Sequence, residues 1–257
     1  MKIIFVGTGS GKTSRKRFHS SIFVKSKSHN FLIDTGDGVS KALLELKIDP
    51  LSIDSILLSH FHADHFSGIA SLITQMKLSG RTSLLKIYTH KNLAVPLIDF
   101  LNINLLFKEN LTFKLSIHKF GFGRKQKVSG SISFVPKQNS HIIQKLRLKK
   151  YPVEQFVSSS FLLNIGSNKI LYTSDVGSEA DLLLFKHHQI DYLISELTHV
   201  NTAQIFSAFK KLNAGKLFLT HIGDDDEKKM INWHRNQLKL NKKLVHICFD
   251  GLQINLR

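Results

Sequence analysis

Four histidine and aspartate side chains within the short stretch SHFHADHFSG constrain this sequence more than any other feature. His60, His62, Asp64 and His65 lie where an apolar run typical of a β-strand gives way to a segment with helical spacing. His60 and His62 are two residues apart, so in an extended segment they project to the same side and can share one ion. Asp64 and His65, on the following turn, can face a neighbouring ion. The pattern predicts a metal site where the strand ends and the helix begins.

Three further candidate ligands occur later in the chain. Asp175 closes the apolar run ILYTSD and His221 closes LFLTH, so both should follow strands of a buried sheet. His141, in PKQNSHII, is the remaining candidate. Imidazole nitrogen and carboxylate oxygen accept zinc, manganese or iron, and such a site needs no cysteine.

Short apolar runs separated by turn-forming residues predict a mixed α/β fold. Strands are expected in KIIFV, SSIFVKS, NFLID, SIDSILLSH, LLKIYTH, DYLISE, KLFLTH and KLVHICFDGLQINL. A hairpin should turn at Gly166–Asn168, and further strands should cover residues 111–118 and 131–136. One helix is predicted in HFSGIASLITQMKLSG, ending at Gly80. Others are predicted over 91–107, in TAQIFSAFKKLNAG and after Asp225. No composition break marks a linker, so a single domain over residues 1–257 is predicted.

The charge balance is strongly basic. The chain has 36 Lys and Arg against 19 Asp and Glu, a formal net charge of +17. Such a surface attracts polyanions, although a lysine-rich proteome would produce the same excess without a partner. Three clusters concentrate the charge: Lys12–Arg17, Lys119–Lys127 and Lys145–Lys150.

Cysteine content and hydropathy indicate the compartment. The one cysteine, Cys248, excludes an internal disulfide and a multi-cysteine metal site, and in VHICF it reads as a buried strand residue. The start of the chain has too short an apolar run for a secretory signal, and no run is long enough for a transmembrane helix. We therefore expect a cytoplasmic protein with no membrane partner.

The stretch FVGTGSGKTS resembles a phosphate-binding P-loop only superficially. A P-loop of the form GxxxxGK[ST] ending at Gly11, Lys12 and Thr13 would need glycine at position 6, which is Val6. It would also need a helix, whereas SRKRFHSSIFV leads into a β-branched strand. The sequence predicts a glycine-rich turn between two strands.

Taken together, these motifs resemble the metallo-β-lactamase superfamily, in the branch of ribonuclease Z and related phosphodiesterases. The matching segments are GTGSG, FLIDTGDG with Asp34, HxHxDH, a later histidine, a strand-ending aspartate and LTH. The resemblance implies an αββα sandwich, in which two mixed sheets are flanked by helices and a dinuclear metal site lies at one sheet edge. It also implies that the glycine loop borders the active site, and that a homodimer is possible.

The resemblance implies a role for each candidate residue. His60, His62 and His141 would hold the first metal, and Asp64, His65 and His221 the second, while Asp175 would bridge them. Asp34 would support the histidine motif without binding a metal itself. In SELTH, Glu196 and His199 would form a proton-donating pair; the alternative is that they simply cap the helix expected near Asn201.

The expected activity is that of a dinuclear-metal phosphodiesterase or ribonuclease Z-like nuclease, with two divalent ions, zinc first and manganese or iron as alternatives. The metals would hold a hydroxide for in-line attack, Asp64 would accept a proton and His199 would donate one. The substrate would be anionic, either RNA or a small phosphodiester.

Two alternatives stay open. A hydrolase of the same fold could cleave a lactone, a thioester or a β-lactam, which the acidic residues Asp224–Asp226 after His221 favour. A catalytically inactive nucleic-acid-binding protein would explain the charge but not the ligands. tRNA maturation is disfavoured, because HIGDDDEKK replaces the phosphate-gripping Ser, Arg and Tyr of ribonuclease Z. Only 33 residues separate His141 from Asp175, too few for its long tRNA-holding arm.

Overall fold

A computed structural model describes residues 1–142, 155–227 and 244–256. The basic cluster Lys145–Lys150 lies outside the described residues, as does most of the helix predicted after Asp225. The remaining predictions can be compared with the structure.

One seven-stranded sheet uses mainly the first half of the chain. Its strands are β1 (Lys2–Gly7), β2 (Ser21–Lys25), β3 (Phe31–Ile33), β4 (Ser55–Leu57), β5 (Leu85–His90), β6 (Leu115–Phe120) and β14 (Gln253–Asn255). They are arranged in the order β14-β1-β2-β3-β4-β5-β6. Pairing is antiparallel from β14 to β3 and parallel from β3 to β6.

The second seven-stranded sheet has the same plan. Its strands are β7 (Gln126–Lys127), β8 (Ile132–Gln138), β9 (Ser159–Ile165), β10 (Asn168–Tyr172), β11 (Tyr192–Ser195), β12 (Lys216–Leu219) and β13 (Val245–Ile247). Their order is β13-β12-β11-β10-β9-β8-β7. Pairing is antiparallel from β7 to β10 and parallel from β10 to β13. Each sheet therefore joins an antiparallel half to a parallel half.

The buried side chains form three layers, as the period-two alternation of a strand requires. In β1, Ile4 and Val6 face the helices, whereas Ile3 and Phe5 face the other sheet. The helices on the outer face of the first sheet are α1 (Val39–Glu45), α3 (Ile69–Leu78) and α4 (Ala94–Ile103), and α5 (Thr202–Lys211) covers the second sheet. A short helix, α2 (Ala63–Phe66), precedes α3. The sandwich of two mixed sheets flanked by helices is confirmed.

Most of the predicted elements form, with one difference in length. The hairpin turns at Gly166–Asn168, and α3 ends just before Gly80, whose positive φ of 76° suits glycine. The helix predicted over 91–107 is shorter, because α4 ends at Ile103 and Leu105 takes a left-handed φ of 58°. Leu106 continues the apolar pattern by packing into the core from the turn instead.

Two smaller expectations also have outcomes. Cys248 is fully buried and directly follows β13. Among the described residues, no helix has the length and apolar character needed to cross a membrane. The single domain over 1–257 stays a prediction.

Candidate metal centre

All of the candidate ligands follow the carboxyl ends of strands at one edge of the sandwich. In the first sheet, His60 and His62 follow β4. In the second sheet, His141 follows β8, Asp175 follows β10 and His221 follows β12. The structure brings the seven predicted side chains together in two groups that share Asp175. Polar groups at the carboxyl ends of adjacent parallel strands meet in this way in open α/β sheets.

The first group consists of His60, His62, His141 and Asp175, whose ligand atoms all lie within 4.8 Å of one another. His141 Nε2 is 3.0 Å from His62 Nδ1 and 3.6 Å from Asp175 Oδ2. His60 Nε2 is 4.0 Å from the same carboxylate oxygen. His62 is exposed, while the other three side chains are buried.

The second group consists of Asp64, His65, Asp175 and His221, all buried. Asp175 Oδ1 lies 3.1 Å from His65 Nε2 and 3.3 Å from His221 Nε2. Asp64 Oδ2 lies 3.0 Å from His221 Nε2 and 3.6 Å from His65 Nε2. The two oxygens of Asp175 thus face different groups.

The donor atoms have the spacing and the unmet bonding that cations would satisfy. Two ligands of a tetrahedral zinc ion, each about 2.1 Å from the metal, lie about 3.4 Å apart, close to the separations in both groups. His60 Nε2, His65 Nε2 and Asp175 Oδ1 are buried and make no hydrogen bond within the described residues. Buried polar atoms without a partner are costly. The residues present fit divalent cations.

Outer hydrogen bonds fix the histidine tautomers. His65 Nδ1 lies 2.9 Å from Asp34 Oδ2, which can only accept, so Nδ1 carries the proton. Ser59 Oγ donates to Asp34 and therefore accepts from His60 Nδ1 at 3.0 Å. Thr198 Oγ1 donates to the His221 carbonyl and accepts from His221 Nδ1 at 3.0 Å. In all three rings Nε2 is the nitrogen that faces the ligand groups and would bind a cation by giving up any proton it holds; His221 Nε2 contacts Asp64 Oδ2 at 3.0 Å.

Asp34 is the centre of these outer contacts. Its Oδ1 accepts the Ser59 backbone N–H at 2.8 Å, and its Oδ2 accepts from His65, the Ser59 hydroxyl and the Tyr172 hydroxyl. Asp34 is fully buried. This arrangement agrees with the supporting role that the resemblance implied for Asp34. Sequence analysis missed Tyr172, Ser59 and Thr198, although the last two lie beside predicted site residues.

Replacing Tyr172 with phenylalanine is expected to lower the free energy of unfolding of the metal-free protein by about 1.5–3 kcal/mol. The substitution keeps the ring in place and removes one hydrogen bond, of 2.9 Å, to the buried Asp34 carboxylate. Urea denaturation in the presence of chelator measures the change. Tyr192→Phe in β11 is the matched control, and a loss no larger than in that control would contradict the expectation.

Backbone strain also concentrates at this edge. Asp34, Ser174 and His221 have φ values of 59°, 51° and 57°, in the left-handed region that non-glycine residues seldom occupy. Two of them carry site side chains, and Ser174 directly precedes Asp175. Such conformations persist only where surrounding contacts enforce them, and they cluster at functional sites.

The electrostatics of the cluster leave both carboxylates charged. Burial raises the pKa of Asp64, but the hydrogen bond from His221 and the charge of His65 outweigh it and lower the pKa to about 2. Burial likewise opposes ionisation of Asp175, yet His221 and His65 hold its pKa well below the ordinary value. For His60, burial and the neighbouring His65 lower the pKa well below its ordinary value. A neutral imidazole among ionised carboxylates suits cation binding.

Glu196 and His199 form a pair beside the two groups. His199 Nδ1 lies 3.0 Å from Glu196 Oε1 and 4.0 Å from Asp175 Oδ2. Glu196 is buried and also accepts the backbone N–H groups of Thr198, His199 and Val176. Helix α5 is instead capped by Asn201, which forms a capping box with Gln204. The helix-capping alternative for Glu196 and His199 is therefore wrong.

The glycine-rich loop borders the site. It joins β1 to β2 without a helix, as predicted, and a Cβ at Gly11 would lie 3.4 Å from Asp64 Oδ2. The loop is joined to the segment after His221, because the Ile222 N–H donates to the Thr8 carbonyl at 2.8 Å. No P-loop is present in this part of the structure.

The acidic residues after His221 pair with the first basic cluster. Asp225 lies 3.3 Å from Lys12 Nζ, and Asp224 accepts from Ser14 Oγ at 2.6 Å. The adjoining Glu227 pairs with Lys16 at 3.0 Å and with Arg17 at 3.2 Å. Opposite charges from the glycine loop therefore lie against Asp225 and Glu227.

Comparisons with known proteins agree with this geometry. The family model described as anti-Pycsar protein Apyc1 matches residues 1–246. The chain belongs to this family. Within the same superfamily, the Apyc1-family chain is 31% identical over 135 residues to ribonuclease Z of Methanococcus aeolicus. That match covers 52% of this chain and 41% of the relative, so the chain spans well under half the length of the curated relative.

Two solved structures share the fold of the Apyc1-family protein along almost its whole length. The metallo-β-lactamase fold protein YhfI from Bacillus subtilis has a TM-score of 0.76 at 20% identity, with 98% of each chain covered. The short form of human tRNase Z has a TM-score of 0.73 at 18% identity, with both chains fully covered. These structures confirm the metallo-β-lactamase fold, and the ribonuclease Z match agrees with the resemblance to that superfamily.

Proposed function

We propose that this protein is a phosphodiesterase that depends on two divalent metal ions, zinc first, with manganese or iron as alternatives. The observation that carries the proposal is Asp175. Its Oδ2 faces His60 and His141, and its Oδ1 faces His65 and His221. A carboxylate shared between two sets of ligands favours two cations held side by side, the arrangement that phosphodiester hydrolysis uses.

When bound, the two cations would lower the pKa of a water molecule and offset the negative charge of the phosphoryl group. Side chains of the protein would accept and donate the protons. Asp64 is ionised at neutral pH, so its carboxylate has the protonation state that a proton acceptor needs. Glu196 stabilises positive charge on His199, so that His199 can donate a proton to the departing oxygen.

The proposed substrate is anionic, either RNA or a small phosphodiester. The name ribonuclease Z, carried by the curated relative, favours a phosphodiester bond in RNA. The second basic cluster, Lys119–Lys127, begins near the carboxyl end of β6, which is parallel to β4 and ends at the same sheet edge as His60. Lys119 and Arg124 are exposed there and would attract a phosphate.

The hydrolase of a lactone, thioester or β-lactam is less well supported. Its main argument was the acidic stretch after His221, and Asp224 and Asp225 are now accounted for by contacts with Ser14 and Lys12. An inactive nucleic-acid-binding protein would leave the two ligand groups around Asp175 without a use. We further propose a cytoplasmic location and a homodimer; sedimentation equilibrium tests the latter.

Zinc- or manganese-loaded protein is expected to hydrolyse bis(p-nitrophenyl) phosphate, an RNA oligonucleotide or a cyclic nucleotide, and to leave a lactone and a thioester intact. His62→Ala should reduce phosphodiester turnover at least about a hundredfold, because it removes one ligand. His62 is exposed, so its loss should disturb packing little. Initial rates with each substrate measure the effect.

His29→Ala is the matched control. His29 contacts Ser55 Oγ at the start of β4, at the opposite end of that strand from His60, and its removal should leave turnover intact. Turnover of the lactone or thioester alone would overturn the proposal, as would equal turnover in the two variants.

A further inference from the structure

The two ligand groups are not held equally well by their surroundings. In the second group, Asp34 holds His65, and Thr198 holds His221. In the first group, Ser59 holds His60, but His62 is exposed and His141 lies on a loop beyond the end of β8. The position of His141 relative to Asp175 must therefore be set by contacts between the loops that carry them.

Asp181 makes those contacts. It is buried, and its Oδ2 accepts four hydrogen bonds from the two loops. From the loop of His141, the Ser140 backbone N–H and hydroxyl donate at 3.1 and 2.6 Å. From the loop of Asp175, the backbone N–H groups of Gly177 and Ser178 donate at 2.9 and 3.2 Å. One carboxylate oxygen thus joins the residue before His141 to the residues just after Asp175.

Gly177 shows how closely the two loops approach. A Cβ on Gly177 would overlap the carbonyl group and the hydroxyl of Ser140. Since real Cβ atoms do not tolerate such contacts, any larger residue would force the loops apart. Asn139 adds a second link: its Oδ1 accepts the His141 N–H at 3.2 Å, and its Nδ2 donates to the Asp175 carbonyl at 2.9 Å.

We propose that Asp181 is a positioning residue that determines whether the first metal position, formed by His60, His62, His141 and Asp175, is filled. It acts through its hydrogen bonds to Ser140, Gly177 and Ser178. The second position shares only Asp175 with these loops and should depend on Asp181 less, because its own histidines are held by Asp34 and Thr198. This inference rests on the proposed two-metal function. Loss of the Asp181 carboxylate should convert a two-metal protein into a one-metal protein.

The test is metal binding rather than activity. In Asp181→Ala, titration of the metal-free protein with Zn²⁺ against a chromophoric chelator should show about a 10–100-fold weaker affinity for one of two ions and a clearly smaller loss of affinity for the other. Asp181→Asn keeps one oxygen acceptor and should be intermediate. Gly177→Ala should weaken the binding of the same ion. With Co²⁺ in place of Zn²⁺, the variant should show the absorption of one bound Co²⁺ ion where the wild-type protein shows that of two.

Asp54→Ala is the matched control for general loss of stability. Asp54 is a carboxylate that accepts the Asn30 backbone N–H at 2.6 Å and directly precedes β4, at the strand end away from the site. Asp54→Ala should leave the affinities for both Zn²⁺ ions unchanged. Wild-type protein that binds no second ion would contradict the proposed function. Wild-type protein that binds two ions, together with an Asp181→Ala variant that binds both equally well, would overturn the inference alone.

Discussion

Replacing Asp175 with alanine is expected to reduce phosphodiester hydrolysis at least about a thousandfold and to lower bound metal from two ions to less than one per chain. The reason is that, among the described residues, Asp175 is the one side chain common to both ligand groups. Its removal takes one ligand from each cation at once, whereas removal of His62 takes a ligand from one. Metal analysis after gel filtration, together with initial rates, measures both effects.

A milder substitution and a control sharpen this expectation. The amide oxygen of Asp175→Asn can serve one cation but not both, so this variant should keep about one ion. Asp191→Ala removes a carboxylate of the same sheet that accepts the Lys169 N–H at 2.7 Å, near the amino end of β10. It should keep both ions and full activity. Two ions retained in Asp175→Ala would refute a bridging role.

The second large effect concerns His199. His199→Ala should retain both metal ions and lose about 10²–10⁴-fold in turnover of a substrate with an alkoxide leaving group, as expected for a missing general acid. With p-nitrophenolate, which needs no proton to depart, the loss should be much smaller. The geometric basis is the 3.0 Å contact between His199 Nδ1 and Glu196 Oε1 beside Asp175. Rates across a leaving-group series make the comparison.

Glu196→Gln should reproduce the same dependence on the leaving group to a smaller degree, because it removes the charge that stabilises a protonated His199. His187→Ala, at an exposed position, should have no effect. An equal loss on every substrate in His199→Ala would exclude proton donation. Loss of metal in that variant would instead make His199 a ligand.

Much of this site could be predicted from sequence because its ligands mark strand ends. HxHxDH follows β4, and Asp175 and His221 each follow a short apolar strand, so periodicity alone located them. His141 was harder, since it lies on a loop three residues after β8 and no regular spacing announces it. The sequence left it as the remaining histidine candidate, and the resemblance to a known family gave it a role as ligand.

The residues that were missed act through tertiary contacts. Tyr172 looks like one more apolar strand residue in ILYTSD, and only the folded structure shows its hydroxyl against Asp34. Asp181 lies 40 residues from His141 in sequence and contacts its neighbour through space. The charges of Lys12 and Asp225 were read separately as a basic and an acidic patch, and a separation of 213 residues hid their pairing.

The two sheets follow one plan, and each contributes about half of the ligands. His60, His62, Asp64 and His65 come from the first sheet's side, and His141, Asp175 and His221 from the second. Bound cations would therefore link the two sheets of the sandwich. Removal of the cations by a chelator should therefore lower the stability of the whole molecule and not of one loop alone. Any shift of one sheet relative to the other would first change the distances between the ligands and the metals.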